Sequence, residues 1–312
     1  MITTVTLNAS VDKMYKLACD FATGTVMRVA EVSNSAGGKG LNSARAIATC
    51  GEDVCVTGFV GGNNGKTVCE LAEKDGLSCD FVTVTNETRC CINAIDAAGV
   101  STELLEPGQP VSEAEVAAME AKMAELAQRS DVVTISGSAP AGCPDDIYRR
   151  LVAAVKDAGK PVILDTSGKL LLGSLAAAPT MIKPNTDEIE VILGHKPQGV
   201  DEVAAAAQQV REQHGIEYVV VSLGGDGSVM AAADGTYRVT PAKIECLNPV
   251  GSGDTMVGAF AVAMKRGMGA EEMLRYASAC ATANCLSPYT GRFDMSVAER
   301  LMPQTQVQKI AE

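Results

Sequence analysis

Tryptophan is absent from this 312-residue chain, aromatic residues make up only 4%, and histidine occurs twice, as His195 and His214. Two histidines leave too little material for a histidine-based metal site or a Ser-His-Asp triad. The shortage of aromatics, set against a hydrophobic content of 46%, means that any core is aliphatic, built from Ala, Val, Leu, Ile and Met. Positive charge is in deficit as well. Lys and Arg number 26 against 38 Asp and Glu, for a net charge of −12. Such a balance repels nucleic acid and anionic lipid, which need a phosphate-neutralising patch. Anionic metabolites remain within reach if the few cations converge locally. No pair among the eleven cysteines has C-x-x-C spacing. An odd count scattered through apolar runs reads as reduced thiols in a reducing compartment. There is no basic, apolar leader at the N-terminus and no apolar window of about 18 residues. A cytoplasmic protein without a membrane span is expected, and no nucleic-acid or membrane partner.

What is present is a regular alternation of strand-length apolar runs and amphipathic helical segments. Thr3–Leu7, Asp53–Val60, Asp131–Ser136, Pro161–Asp165, Met181–Lys183 and Tyr218–Leu223 read as strands. Leu41–Cys50, Gly65–Asp75, Ser112–Arg129, Asp145–Ala158, Asp187–Leu193, Asp201–His214, Asp254–Arg266 and Ala270–Ser287 read as helices. Ser112 and Glu115 have capping-box spacing, and Val116, Met119, Met123 and Leu126 recur at helical intervals. The alternation predicts an α/β fold with a mostly parallel sheet, which places ligands at the C-terminal ends of strands. Two stretches, 11–35 and 86–107, alternate like strands with no helix nearby. They predict a small antiparallel sheet inserted as a lid. No repeat, low-complexity tract or flexible linker divides the chain, so residues 1–312 are expected to form one domain.

Two glycine-rich segments carry chemistry. In NPVGSGDTMVG (248–258), a strand-like run ends at Val250 and Gly251-Ser252-Gly253 opens a helix near Asp254. Bare amides at a helix N-terminus suit a transferring phosphoryl group, and a carboxylate in the same turn can take a proton from an attacking hydroxyl. Read alone, Asp254 serves equally well as a helix cap. In AGGKGLN (36–42), Gly37 and Gly38 allow backbone to approach a polyol, Asn42 can bond hydroxyls and Lys39 can meet a phosphate. A plain glycine turn is the competing reading. GGNNGKT (61–67) imitates a phosphate-binding P-loop, but position 60 is Val where that motif needs Gly, which rejects it.

Together with GFVGGNNG (58–65), SGSAPAG (136–142), LDTSG (164–168), KPNTDE (183–188) and VSLGGDG (221–227), these segments resemble the PfkB carbohydrate kinases of the ribokinase-like fold, essentially from end to end. TLNASVDK near the start, Thr88–Arg89 and LLEPG (104–108) resemble the branch holding 1-phosphofructokinases and tagatose-6-phosphate kinases, the latter slightly more. Ala9 stands where the family usually has Pro, and Ser252 where it has Ala.

The resemblance implies an ATP- and Mg2+-dependent kinase that converts a ketohexose phosphate to a bisphosphate, with Asp254 as base and the amides of Gly251, Ser252 and Gly253 as anion hole. Asp12, Gly37, Gly38 and Asn42 would hold the sugar, and Ser138 would line the same pocket. Arg89, helped by Lys39 and Arg28, would hold its existing phosphate, since guanidinium binds phosphate bidentately. Lys183, Asn185, Ser222, Gly224, Gly225, Gly227, Ser278 and Thr282 would border the nucleotide. Asn185 and Glu188 would order water around the metal, although the same pair has capping-box spacing. A homodimer through the lid sheet is implied too. The competing readings are a kinase for an unphosphorylated sugar or nucleoside, a sugar-phosphate sensor without catalysis, and a nicotinamide-dependent oxidoreductase. The last lacks an early G-x-G-x-x-G.

Overall fold

The structure is a computed structural model that describes residues 1–311. Strands and helices alternate along most of the chain. The first part holds β1 (Ile2–Thr6), β2 (Ser10–Leu17), β3 (Val29–Gly37), α1 (Lys39–Thr49), β4 (Val54–Gly61), α2 (Gly62–Lys74), β5 (Ser78–Cys79) and β6 (Val82–Val84). Next come β7 (Arg89–Ile95), β8 (Ser101–Leu105), α3 (Glu113–Arg129), β9 (Val132–Ser136), α4 (Ile147–Asp157), β10 (Val162–Asp165), α5 (Gly168–Ser174) and β11 (Met181–Ile182). The remainder is α6 (Thr186–Leu193), α7 (Gly199–His214), β12 (Tyr218–Ser222), β13 (Ser228–Ala232), β14 (Gly235–Thr240), α8 (Ser252–Lys265), α9 (Ala270–Cys285), α10 (Met295–Leu301) and β15 (Gln306–Ala311).

The main sheet runs β15-β14-β13-β12-β11-β10-β9-β1-β4-β5, with β6 also against β4. It is parallel from β12 through β5 and antiparallel from β12 to β15. Successive side chains of a strand face opposite sides, so each central strand feeds two cores. Val132, Ile163 and Val220 pack with α1, α8 and α9, whereas Val133, Leu164 and Val221 pack with α3, α4 and α7. Helices thus cover both faces, as expected of strands that read as continuous apolar runs.

The second sheet, β3-β2-β7-β8, occupies the two stretches expected to form a lid. Its outer pairs are antiparallel, as anticipated. Its central seam is not: β2 runs parallel to β7, with Ser10 beside Arg89 and Asp12 beside Cys91. Each hairpin leaves the main sheet from a parallel strand, β2 after β1 and β7 after β6, so the two enter in the same direction.

The rejected P-loop run lies in the first turns of α2, which starts three residues before the expected Gly65. β5, β6, α5, α10 and β15 were not anticipated; all are short, and the last is an edge strand without a clean alternation.

Candidate active site

The C-terminal edge of the parallel strands gathers the chemistry. β10 ends in Asp165 and β11 runs directly into Lys183. Lys183 Nζ lies 3.2 Å from one oxygen of Asp165, and Lys39 Nζ, from the first turn of α1, lies 3.1 Å from the other. Burial alone would push the Asp165 carboxyl up; the Lys183 and Lys39 ammoniums outweigh it and hold the group below the usual carboxylate range. Lys39 was expected to meet a phosphate and Lys183 a nucleotide. Both pair with Asp165, a residue that sequence reasoning did not select. Its only signal was its place in LDTSG at a strand end.

Asp254 sits in the first turn of α8, which is capped at Gly251. Gly251 has φ +76°, a left-handed turn that glycine adopts without strain, and a Cβ there would run into Thr290. Asp254 is 8% exposed, and its Oδ2 accepts a 2.7 Å hydrogen bond from Asn42 Nδ2. Its carboxyl is pushed up from the ordinary value, first by burial and then by the neighbouring Asp165 charge, against the opposing pull of Lys39, Asn42 and Lys183. A cap role is not what its side chain serves: α8 has no side-chain cap hydrogen bond. Gly253 is close enough to Lys183 that a Cβ on it would stand 3.6 Å from Nζ. Buried acid, paired ammoniums and a bare helix N-terminus therefore share one corner.

Asn42 was expected to bond sugar hydroxyls; in the structure its amide is given to Asp254 and its Oδ1 to Arg45. Asp12, on β2, accepts a 2.6 Å bond from Ser10 Oγ. Burial raises its carboxyl, while Ser10 and then Arg45 and Arg89 pull the other way. The carboxylate fills the space over Gly37, where any Cβ would collide with it, and Gly38 leads into α1. Arg89, at the start of β7, spends Nε and Nη2 on the Asn8 carbonyl (3.1 and 2.9 Å) and Nη1 on the Glu106 carbonyl (3.0 Å). That ties it to the root of the small sheet rather than leaving it free. Ser138 is exposed and accepts a 3.0 Å bond from Asn8, which places it near Arg89 through that residue. Arg28 is exposed in the β2–β3 connection, and no hydrogen bond or ion pair among the described residues ties it to this cluster.

On the other flank, the Ser222 amide donates to the Pro184 carbonyl (3.0 Å), and Asn185 and Ser222 form a parallel bridge. This sets KPNTDE beside VSLGGDG. Gly224 and Gly225 lie in the following 3-10 turn, which ends at Gly227. Asn185 caps α6: its Oδ1 accepts from the Asp187 and Glu188 amides (2.9 and 2.8 Å), and Glu188 Oε2 accepts from the Asn185 amide (2.9 Å). The capping box is thus formed. It consumes the Asn185 oxygen but leaves Glu188 Oε1 without a hydrogen bond among the described residues. No cluster of three or more His, Cys, Asp or Glu suited to a metal occurs among the described residues. These donors fit a hard cation held through water and a ligand's phosphates, not a cage of protein oxygens. Ser278 and Thr282 are both buried in α9, and Thr282 Oγ1 donates back to the Ser278 carbonyl (2.8 Å). The Thr282 hydroxyl proton is therefore spent within the helix, and its oxygen can still accept.

A family model described as pfkB family carbohydrate kinase matches residues 5–296. The chain belongs to that family. Solved structures agree with the assignment. Phosphofructokinase-2 from Escherichia coli, in complex with fructose-6-phosphate, matches with a TM-score of 0.90 at 26% identity, over 97% of this chain and 98% of that one. A protein described as a possible 1-phosphofructokinase from Thermotoga maritima matches with a TM-score of 0.89 at 26% identity, over 99% of each chain. Ribokinase from Arabidopsis thaliana, complexed with ribose and ATP, matches at 24% identity with a TM-score of 0.77, over 96% and 98%. At that identity the last match speaks for the fold, which is ribokinase-like. This pfkB kinase is a sugar kinase with phosphofructokinase-like neighbours.

Proposed function

We propose that this kinase moves the γ-phosphoryl group of ATP onto a hydroxyl of an already phosphorylated ketohexose, giving the bisphosphate, with tagatose 6-phosphate or fructose 1-phosphate as the substrate. The observation that carries the reading is Asp254. It is a buried carboxylate at a glycine-opened helix N-terminus, with its charge held by one amide and two nearby ammoniums. The sugar hydroxyl gives its proton to Asp254 as its oxygen attacks the γ-phosphorus in line. The bond from that phosphorus to the β-γ bridging oxygen breaks, and ADP leaves with its electron pair. Negative charge on the transferring group meets the amides of Gly251, Ser252 and Gly253, with Lys183 beside Gly253.

Asp12, the Gly37–Gly38 backbone, Asn42 and Ser138 line the sugar side. The substrate's own phosphate sits against Arg89, whose attachment to the Asn8 and Glu106 carbonyls fixes the guanidinium at the junction of the two sheets. Lys39 and Arg28 are its helpers. Ser222 and the Gly224–Gly227 turn border ATP, with Lys183 and Asn185 at its phosphate end and Ser278 and Thr282 near its base. Glu188 and Asn185 would hold Mg2+ through water; bound there with ATP, the ion neutralises phosphate charge.

The small sheet acts as a lid over one continuous kinase domain, and a second copy of the chain covers its outside. Val32, Leu104 and Leu105 are exposed on it, and a sheet edge of that kind invites pairing. All eleven cysteines are free thiols, which supports a reducing, cytoplasmic setting.

The deciding experiment is ATP- and Mg2+-dependent turnover of tagatose 6-phosphate, fructose 1-phosphate and fructose 6-phosphate, with fructose and ribose as neutral controls. One phosphorylated ketose is expected to exceed the neutral sugars in kcat/KM by at least about 100-fold, the scale of a lost charged hydrogen bond. Preference for a neutral sugar would remove the phosphate role from Arg89. Absence of turnover with all five would favour a sensor on the same fold.

A further inference from the structure

Arg45 lies one turn beyond Asn42 on α1 and is 4% exposed. A guanidinium so deeply buried needs partners, and each of its three nitrogens has one. Nη1 donates to the Ala36 carbonyl (2.8 Å) and pairs with Asp75 Oδ2 (3.4 Å), Nε donates to the Thr290 carbonyl (3.3 Å), and Nη2 donates to Asn42 Oδ1. Asp75, at the C-terminus of α2, is itself held by Arg292. Arg45 therefore joins the end of β3, the end of α2 and the loop around Thr290 to one amide side chain.

That amide is the one bonded to Asp254. A carboxamide has one end that accepts and one that donates; a guanidinium only donates and a carboxylate only accepts. With Arg45 on one side and Asp254 on the other, only one orientation of Asn42 satisfies both neighbours. We infer that Arg45 is a positioning residue for the reaction: by fixing the Asn42 carboxamide, it keeps an N–H donor on the Asp254 carboxyl. The inference rests on Asp254 being the base.

The groups facing Asp254 are Asp165 from the end of β10, Lys183 from the end of β11, and Lys39 and Asn42 from α1. Asp165 favours the protonated form; the other three favour the carboxylate. Without Arg45 the Asn42 oxygen loses its donor and the amide turns away. The balance at Asp254 then shifts toward the proton, and the acid limb of activity moves to higher pH. Lysine at position 45 tests this. It keeps a charge for Asp75 but cannot reach Asn42 Oδ1 as well.

The measurement is kcat/KM against pH for wild type, Arg45→Lys, Asn42→Ala and the double variant. All are assayed on the sugar phosphate that wild type turns over best, so that the substrate's own titration cancels. Arg45→Lys is expected to raise the acid limb by about one pH unit, the scale of a hydrogen bond to a charged group, with KM for ATP unchanged. Asn42→Ala should raise it likewise, and the double variant no further than Asn42→Ala alone. An unmoved limb in Arg45→Lys, a further rise when Arg45→Lys is added to Asn42→Ala, or failure of every Arg45 variant to fold would overturn the inference and leave Arg45 a structural residue. Near-wild-type turnover by Asp254→Asn would instead remove the base on which it rests.

Discussion

At Asp254 function and stability pull in opposite directions. Its carboxyl is raised in the folded protein, so folding favours the protonated form. The stability linked to that proton is complete below the ordinary carboxylate range and is lost as pH rises through the folded value. Once ionised, the side chain is therefore a cost to the fold. Asp254→Asn should lower kcat by about 10²–10⁴-fold, as loss of a general base does, leave ATP binding nearly intact, and raise the melting temperature at pH 7 but not at pH 4. Calorimetry at both pH values checks it; a lower melting temperature at pH 7 would mean that the neighbouring ammoniums more than offset the burial. In the sequence Asp254 stands beside the glycines that open α8, where it reads equally well as a cap, and the resemblance to the PfkB kinases points to a base. Asp165 and Arg45 could not be picked from the sequence. Asp165 matters because Lys39 and Lys183 converge on it from far along the chain, and Arg45 because its acceptors lie on four separate segments.

Among the elements, α6 shows how one pair of side chains serves two ends. Asn185 and Glu188 close a capping box, and the other Glu188 oxygen has no hydrogen bond among the described residues. Glu188→Gln preserves capping-box chemistry and removes the charge. It should change stability by less than ~0.5 kcal/mol and raise the Mg2+ concentration needed for half-maximal rate several-fold. An unchanged Mg2+ requirement would confine Glu188 to capping. The long central helices and buried strands were legible from periodicity and apolar runs, to within a few residues at their ends. The parallel β2–β7 seam was not, because pairing direction is set by how each hairpin leaves the main sheet and alternation is blind to it.

For the whole molecule the open question is what covers the small sheet. Leu105 is 62% exposed on β8 and Leu104 56%, unusual at the rim of an acidic protein whose charge otherwise keeps copies apart. Leu105→Glu should convert a dimer to a monomer by light scattering at micromolar concentration, with the melting temperature of the main transition kept. A wild-type protein that is already monomeric would refute the covering copy. The fold of the main sheet was readable from the alternation of strands and helices. For this outer surface the family resemblance implies a homodimer through the lid, and nothing local in LLEPG distinguishes a strand turned to solvent from one turned to a neighbour.

The β2–β7 seam also bears on the order of assembly. Joining Ser10 to Arg89 closes a long loop whose entropy must be met before the pairing gives any return. β1, β4 and α1 between them form the brace that brings the two hairpins together. All of these lie in the first third of the chain. On a ribosome, the paired hairpins of the small sheet can therefore be built while the segment carrying Asp254 has yet to be translated. The growing chain would carry Asp12 and Arg89 on paired strands well before it holds the carboxylate that opens α8.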